Sequence, residues 1–301
     1  MIAGIDIGGT TSKIGLIDNG RVIARTRIPT TGHADDHAFA DALAQQVREL
    51  AGQHQAHIDA VGIGAPNANQ HTGIIEMAPN LPWKHDVPLA AMMQQRLGVH
   101  TVLGNDANAA ALGEWRYGAG QGYKDLLVVT IGTGVGSGFI VDGRLVLGSH
   151  GNAGELGHMT IVPGGRPCTC ARAGCLEAYV SIRGMRQTYT ESGGSAEVLA
   201  EPGVRCIADA AHAGDRAAID TFHRTVEWLA IGLANAVATT GPGRIVLFGG
   251  IARNGDLLMA PLREQFQQAL LNIYKGRVDL TVSALPDDDA AILGAAALAE
   301  R

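Results

Sequence analysis

Cysteine is scarce in this 301-residue sequence: there are four, and three of them fall between positions 168 and 175. A spread set that could staple a small secreted domain is missing. This excludes a disulfide framework and leaves metal or redox chemistry for the clustered thiols. Positive charge is also in deficit, with 23 Lys and Arg against 29 Asp and Glu and a formal net charge of −6. A general attraction to nucleic acid or to an anionic membrane is therefore not expected. No apolar run approaches the roughly 20 residues that cross a bilayer. The opening Met1-Ile2-Ala3-Gly4-Ile5-Asp6 reaches an acid before any cationic leader. The expected location is the cytoplasm. Long linkers and low-complexity tracts are absent too, and a hydrophobic fraction of 46% with 17% charged residues suits a folded chain with a large core.

What is present begins with β-type patterning. Ile2–Ile7 reads as a strand, Gly8-Gly9-Thr10-Thr11 as a turn, Ile14–Ile17 as a second strand, and Asp18-Asn19-Gly20 as the turn to a third strand, Arg21–Arg27. The period then changes. Phe39, Leu43, Val47 and Leu50 mark one face of a helix starting near Asp35. Strands are expected at Ala60–Ile63 and Thr101–Leu103, with an alanine-rich helix from Asp106 to Tyr117. The opening pattern then recurs: Ile7, Gly8, Leu16, Ile17 and Asp18 fall on Ile131, Gly132, Ile140, Val141 and Asp142 at a constant offset. Two duplicated α/β lobes, each offering a glycine turn to a shared cleft, are the architecture this implies. Helices near Val180–Thr190, Ile207–Ala213, Arg216–Thr239 and Leu257–Asn272 are expected in the second half. Strands at Arg244–Phe248 and Val278–Ser283 accompany them, and a last helix, Ala290–Ala299, is capped by Asp287-Asp288-Asp289.

Four groups of residues could carry chemistry. The first is Asp6 with Gly8, Gly9, Thr10 and Thr11, joined by Gly132-Thr133-Gly134-Val135-Gly136-Ser137. Glycine turns let backbone N–H groups approach a phosphate, hydroxyls add donors, and an acid beside the turn can hold Mg²⁺ through water. The alternative is a pair of plain hairpins. The second is Asp106 in Gly104-Asn105-Asp106-Ala107-Asn108, either the base that takes a proton from an attacking hydroxyl or the N-cap of the helix. The third is His158 with Cys168, Cys170 and Cys175, a Cys₃His set suited to a closed tetrahedral Zn²⁺ site of structural type, against buried or redox thiols. Glu155 and Glu177 flank it as acceptors for hydroxyl groups or as surface glutamates. The fourth is Ala65-Pro66-Asn67 with Ala78-Pro79-Asn80-Leu81-Pro82-Trp83, loops whose asparagines can pair with hydroxyls.

Taken in order, Asp6-Ile7-Gly8-Gly9-Thr10, Gly104–Asn108, Gly132–Gly136, Gly154-Glu155-Leu156-Gly157-His158 and the cysteine run ending at Glu177 resemble the ROK family (repressors, open reading frames and sugar kinases). The resemblance covers nearly the whole chain. It implies a two-lobed actin-like, RNase H-like ATPase fold with ATP and sugar in the interlobe cleft. The lobes would be a smaller one at 1–113, joined by the C-terminal helix 289–301, and a larger one at 114–288 that carries the zinc loop. It further implies Asp106 as general base and Pro66, Asn80, Asn105, Asp106, Glu155, His158 and Glu177 on the sugar. ATP with Mg²⁺ would lie against Asp6, Gly8, Gly9, Thr10, Thr11, Lys13, Gly132, Thr133, Gly134 and Gly136, with Gly249 and Gly250 at the adenosine. Structural Zn²⁺ would sit on His158, Cys168, Cys170 and Cys175.

Three positions depart from the family's usual pattern. Ala171 stands where glycine is common, Thr11 where lysine is frequent, and Ser137 where glycine is frequent. Within the family, the Pro66 and Asn80 loops look most like those of glucokinases, with N-acetylmannosamine or N-acetylglucosamine kinases as the alternative. A homodimer or larger homo-oligomer is implied. A sugar-responsive repressor is not expected, because a DNA-binding segment would precede the strand that begins at residue 2. A sugar-binding module without catalysis is not expected either, since Asp106 is retained.

Overall fold

The computed structural model describes residues 1–300, except for the side chains of residues 287 and 288. Its first sheet opens as an antiparallel meander of β1 (Ile2–Ile7), β2 (Thr11–Asp18) and β3 (Arg21–Pro29). Asn19 and Gly20 join β2 to β3 with φ of 48° and 74°, the left-handed pair that a tight two-residue hairpin needs. Helix α1 (Asp36–Gln53) starts where Asp35 accepts a hydrogen bond from the Ala38 amide, and it buries Phe39, Leu43, Val47 and Leu50. β4 (Ala60–Ala65) then runs parallel to β1 and is buried at every position. A small hairpin of β5 (Ala68–Asn69) and β6 (Ile74–Ile75) follows, then α2 (Leu89–Leu97) and β7 (His100–Asn105), which pairs parallel with β4. The strand order is β3-β2-β1-β4-β7.

Helix α3 (Asp106–Tyr117) leads to the second sheet. Here β8 (Leu126–Ile131), β9 (Val135–Val141) and β10 (Arg144–Leu145) repeat the meander, again through a left-handed pair, Asp142 and Gly143. After the cysteine loop come α4 (Glu177–Val180), α5 (Ile182–Glu191), α6 (Arg205–His212) and the 25-residue α7 (Arg216–Thr240). β11 (Arg244–Phe248) then pairs parallel with β8, α8 (Ala260–Ala269) crosses back, and β12 (Asp279–Val282) pairs parallel with β11. The order β10-β9-β8-β11-β12 reproduces the first sheet strand for strand and sense for sense. The duplication expected from the sequence is thus an architectural repeat.

The last helix, α9 (Asp287–Ala299), lies on the first sheet and against α3, while α3 itself packs on β8 and β9. Contact there is at backbone range. A Cβ on Gly62 would sit 1.9 Å from the carbonyl oxygen of Ala295, and one on Gly113 would sit 2.9 Å from the Cα of Gly294. The pair α3–α9 therefore forms a tight joint between the two sheets.

Several expectations are corrected. The helix expected near Val180–Thr190 is α5, and it starts two residues later, at Ile182, because Ser181 turns extended, caps Gly184, and leaves the Ile182 amide to donate to the Gly132 carbonyl, which separates α5 from the short α4. The helix expected from Leu257 to Asn272 starts as a wide turn over Gly255–Met259 and is α-helical only over Ala260–Ala269. The last helix begins at Asp287 after Pro286, so the aspartates stand in its first turn and do not precede it. The side chains of Asp287 and Asp288, and residue 301 of the expected C-terminal segment, lie outside the described residues.

Candidate active site

A cavity of about 310 Å³ opens where the C-terminal end of β7 meets the loop of residues 151–158, and it is lined by Asn67, Glu76, Asn105, Asp106, Asn108, Glu155 and His158 among others. β7 delivers the first polar pair. Asn105 is extended, with φ −60° and ψ 143°, and its Oδ1 accepts from the amides of Ala107 and Asn108 at 2.9 and 3.3 Å. Asn105 is thus the N-cap of α3, and Asp106 is the first helical residue. The N-cap alternative for Asp106 does not hold, and among the described residues nothing accepts from the Asn105 Nδ2. The Asp106 side chain opens to the cavity, but its carboxyl is surrounded by protein atoms. This desolvation raises its pKa, although hydrogen bonds from the amides of Ala107, at 2.8 Å, and of Asp106 itself pull the other way.

Asp6, the penultimate residue of β1, lies directly opposite Lys13 on β2. Burial lifts its pKa to about 6, the negative Asp106 adds to the rise, and Lys13 opposes it. Asp6 and Asp106 therefore share one electrostatic environment. Next to Asp6, the first glycine turn is closed by the Gly8 amide donating to Thr11 O at 3.1 Å and braced by Thr30 Oγ1 donating to Gly8 O at 2.8 Å. Thr10 and Thr11 stand exposed on it. In the second turn the Gly132 amide donates to Gly134 O at 2.9 Å and Thr133 is exposed. Behind this turn Gly132 and Gly250 line a crevice of about 430 Å³ with Ile182, Arg205, Ile251 and Asn254. Gly249 adopts φ 111°, and a Cβ there would strike Ile131 O at 2.3 Å, so this corner admits only glycine. Lys13 lies off this line, with Arg25 and Arg27 in a neighbouring groove.

The cysteine loop closes the other wall. His158 Nδ1 lies 3.6 Å from Cys168 Sγ, Cys170 Sγ lies 3.7 Å from Cys175 Sγ, and one donor atom from each of the four falls within 4.8 Å of the others. A tetrahedral zinc with Zn–S near 2.3 Å has ligand–ligand edges of about 3.8 Å, slightly less to nitrogen. The donor set fits that ion in number, type and spacing. Ala171, at the position that departs from the family pattern, is held at φ 66°, a left-handed conformation that costs an alanine about 1 kcal/mol. Arg166 anchors the loop through the carbonyls of Ala178 and Gly184 and the Thr188 hydroxyl, and its guanidinium stacks 4.8 Å from the Tyr179 ring.

Not every expected residue meets the cavity. Asn105, Asp106, Glu155 and His158 do. Burial raises the Glu155 pKa, His158 opposes that shift, and Asp106 and Glu177 add to it. Glu177 is placed one step behind the cavity wall: Oε2 accepts from the Val135 amide at 2.9 Å and Oε1 from Thr169 Oγ1 at 3.1 Å, which ties the cysteine loop to the second glycine turn. Asn80 is exposed, its carbonyl against Gly9, and the lining takes Asn67, held at φ 51°, in place of Pro66. Glu76, Asn69 and Asn108 were not singled out by sequence as site residues. Asn108 stood within a recognised motif, whereas Glu76 carries no periodic or motif signal.

Similarity to known proteins follows the same outline. The glucokinase of Thermotoga maritima is 33% identical over 311 residues, covering 99% of this chain and 96% of that protein. The N-acetylmannosamine kinase of Shigella flexneri is 33% identical over 302 residues, covering 99% and 98%. In structure, a ROK family glucokinase from Streptomyces griseus in complex with glucose and AMPPNP superposes with a TM-score of 0.82 at 33% identity, covering 99% of this chain and 98% of that one. That likeness carries the two-lobed actin-like ATPase fold. The ROK family model matches residues 2–301, and the chain belongs to the ROK family.

Proposed function

We infer that the protein is an ATP-dependent hexose kinase that converts D-glucose and ATP to glucose 6-phosphate and ADP. The observation that carries the reading is one cavity holding a cleft-facing Asp106 at the start of α3 beside Asn105, Glu155 and His158, with Asp6 and the glycine turn that follows it near by. Full-length similarity to glucokinases supports the substrate. The similar N-acetylmannosamine kinase keeps N-acyl hexosamines as the alternative class.

In this reading the sugar is held by the Asn105 amide, Glu155 and His158, with its 6-hydroxyl at Asp106. The hydroxyl oxygen bonds to the γ-phosphorus, the bond from phosphorus to the β–γ bridging oxygen breaks, ADP leaves, and the hydroxyl proton passes to the Asp106 carboxylate. Positioning and charge stabilisation dominate such a transfer. The exposed amides and hydroxyls of the turns at Gly8–Thr11 and Gly132–Gly136 would take the phosphates. Asp6 would hold Mg²⁺ through water, and the Gly249–Gly250 crevice would take the adenosine. Glu177 positions the second turn. His158, Cys168, Cys170 and Cys175 would hold a structural Zn²⁺, whose binding energy would stabilise this wall of the cavity. The lobes are proposed at 1–113 with 289–301 and at 114–288, the protein as a homodimer or larger homo-oligomer, and its location as the cytoplasm. No helix among the described residues is long and apolar enough to cross a membrane.

Asp106→Asn tests the base. It should lower kcat for glucose by about 10²-fold or more while calorimetric glucose affinity stays within a few-fold. Near-normal turnover would overturn the assignment.

A further inference from the structure

Two polar side chains in the cavity are unused by that mechanism. Asn108 is only 2% exposed, and among the described residues no donor meets its fully buried side-chain Oδ1. A buried amide oxygen left unpaired in a native structure points to an absent partner. Glu76 reaches the same cavity from the β5–β6 hairpin of the small lobe. Its Oε1 accepts from Asn69 Nδ2 at 2.7 Å, and among the described residues no donor meets its Oε2. Asn69 is itself locked: it is buried, its second amide hydrogen goes to the His150 carbonyl at 2.8 Å, and its Oδ1 accepts from the His71 amide at 3.0 Å. The Glu76 carboxylate is thus fixed by a rigid support that itself bridges the small-lobe hairpin to the 148–154 loop, and one oxygen is left for a ligand.

We propose that Glu76, with Asn108 in the same cavity, is a specificity-determining residue that reads a hydrogen-bond donor on the sugar and so selects free hexoses over N-acyl hexosamines. An ionised carboxylate is an acceptor only. It accepts from a hydroxyl or an ammonium group, whereas an N-acyl group keeps a single N–H donor and sets a carbonyl acceptor and an apolar methyl beside the carboxylate, desolvating the part of it that the N–H does not meet. Asp106 and Glu155 in the same cavity add to the acceptor character. This inference rests on the hexose kinase reading.

The test is steady-state kinetics with MgATP on the wild type, Glu76→Gln and Glu76→Ala, using glucose, glucosamine and N-acetylglucosamine. The wild-type rates report on the hexose kinase reading, and the ratio between variant and wild type reports on Glu76. Charged hydrogen bonds of this kind correspond to roughly a tenfold to hundredfold effect. Glu76→Ala should raise the glucose KM at least tenfold with kcat within about threefold, and should narrow the preference for glucose over N-acetylglucosamine at least tenfold. Glu76→Gln preserves the acceptor for Asn69 and should give most of the effect on glucosamine, which separates charge from folding. Wild-type turnover of glucose with an unchanged sugar preference in both variants would overturn the role of Glu76. A wild type that prefers N-acetylglucosamine would overturn both readings.

Discussion

Asp6 illustrates how far a single residue's chemistry depends on the fold. Its carboxyl titrates near 6 in the folded chain, against an ordinary 3.8, because it is buried next to Asp106 with only partial relief from Lys13. A raised folded value means the native state binds this proton more tightly than the unfolded chain does. Above pH 6 the buried charge weakens the fold, and between about pH 6 and 4 protonation removes that penalty. Asp6→Asn should therefore raise the melting temperature of the ligand-free protein at pH 8 by roughly 5 °C and leave it unchanged near pH 4. It should also weaken MgATP binding. Thermal melts across that range check the sign, and destabilisation at pH 8 would contradict it. At this scale the sequence exposed the residue types but not their freedom. Asn105 was legible as a cavity residue, yet nothing in its spacing told that Oδ1 is spent on capping α3. Glu76 was invisible, since it meets Asn69 and the cavity only through a hairpin of two-residue strands.

Among the elements, those with strong periodicity or paired turn residues were legible: β1, the α1 face, α3 and both left-handed hairpins. Helix α2 was passed over because its face is only Leu89, Met92 and Met93. The break at Ser181 was hidden because a long-range hydrogen bond, Ile182 amide to Gly132 carbonyl, overrides continuous helix patterning. That bond joins the start of α5 to the second glycine turn, which Glu177 holds from the other side. The cysteine loop, Glu177 and the turn form one connected unit, so disturbance of the loop should reach the cleft. Cys170→Ala should lose the zinc proposed there, lower the melting temperature and raise the glucose KM. Metal content by atomic absorption with a melt on the same sample decides it, and a variant that still holds one zinc per chain would refute the ligand set.

The whole molecule is a duplicated unit, and the constant offset between Ile7–Asp18 and Ile131–Asp142 was enough to reveal it. What the offset could not reveal is the joint. The duplicated sheets meet through α3 and α9, and α9 contributes to the first sheet from the far end of the chain. The packing is fixed by Gly62, Gly113 and Gly294, where backbones touch. The cleft sits at the N-terminal end of α3, so Asp106 is carried by the element that spans both sheets. A hexose and ATP, each held by residues of both lobes, would react with water excluded once the lobes close on them. ADP release by the wild-type protein with MgATP, measured against glucose, mannose, fructose, N-acetylglucosamine and N-acetylmannosamine, tests this account most directly. The account predicts turnover with a clear preference for glucose; preference for an N-acyl hexosamine, or silence on every sugar from folded protein, would contradict it.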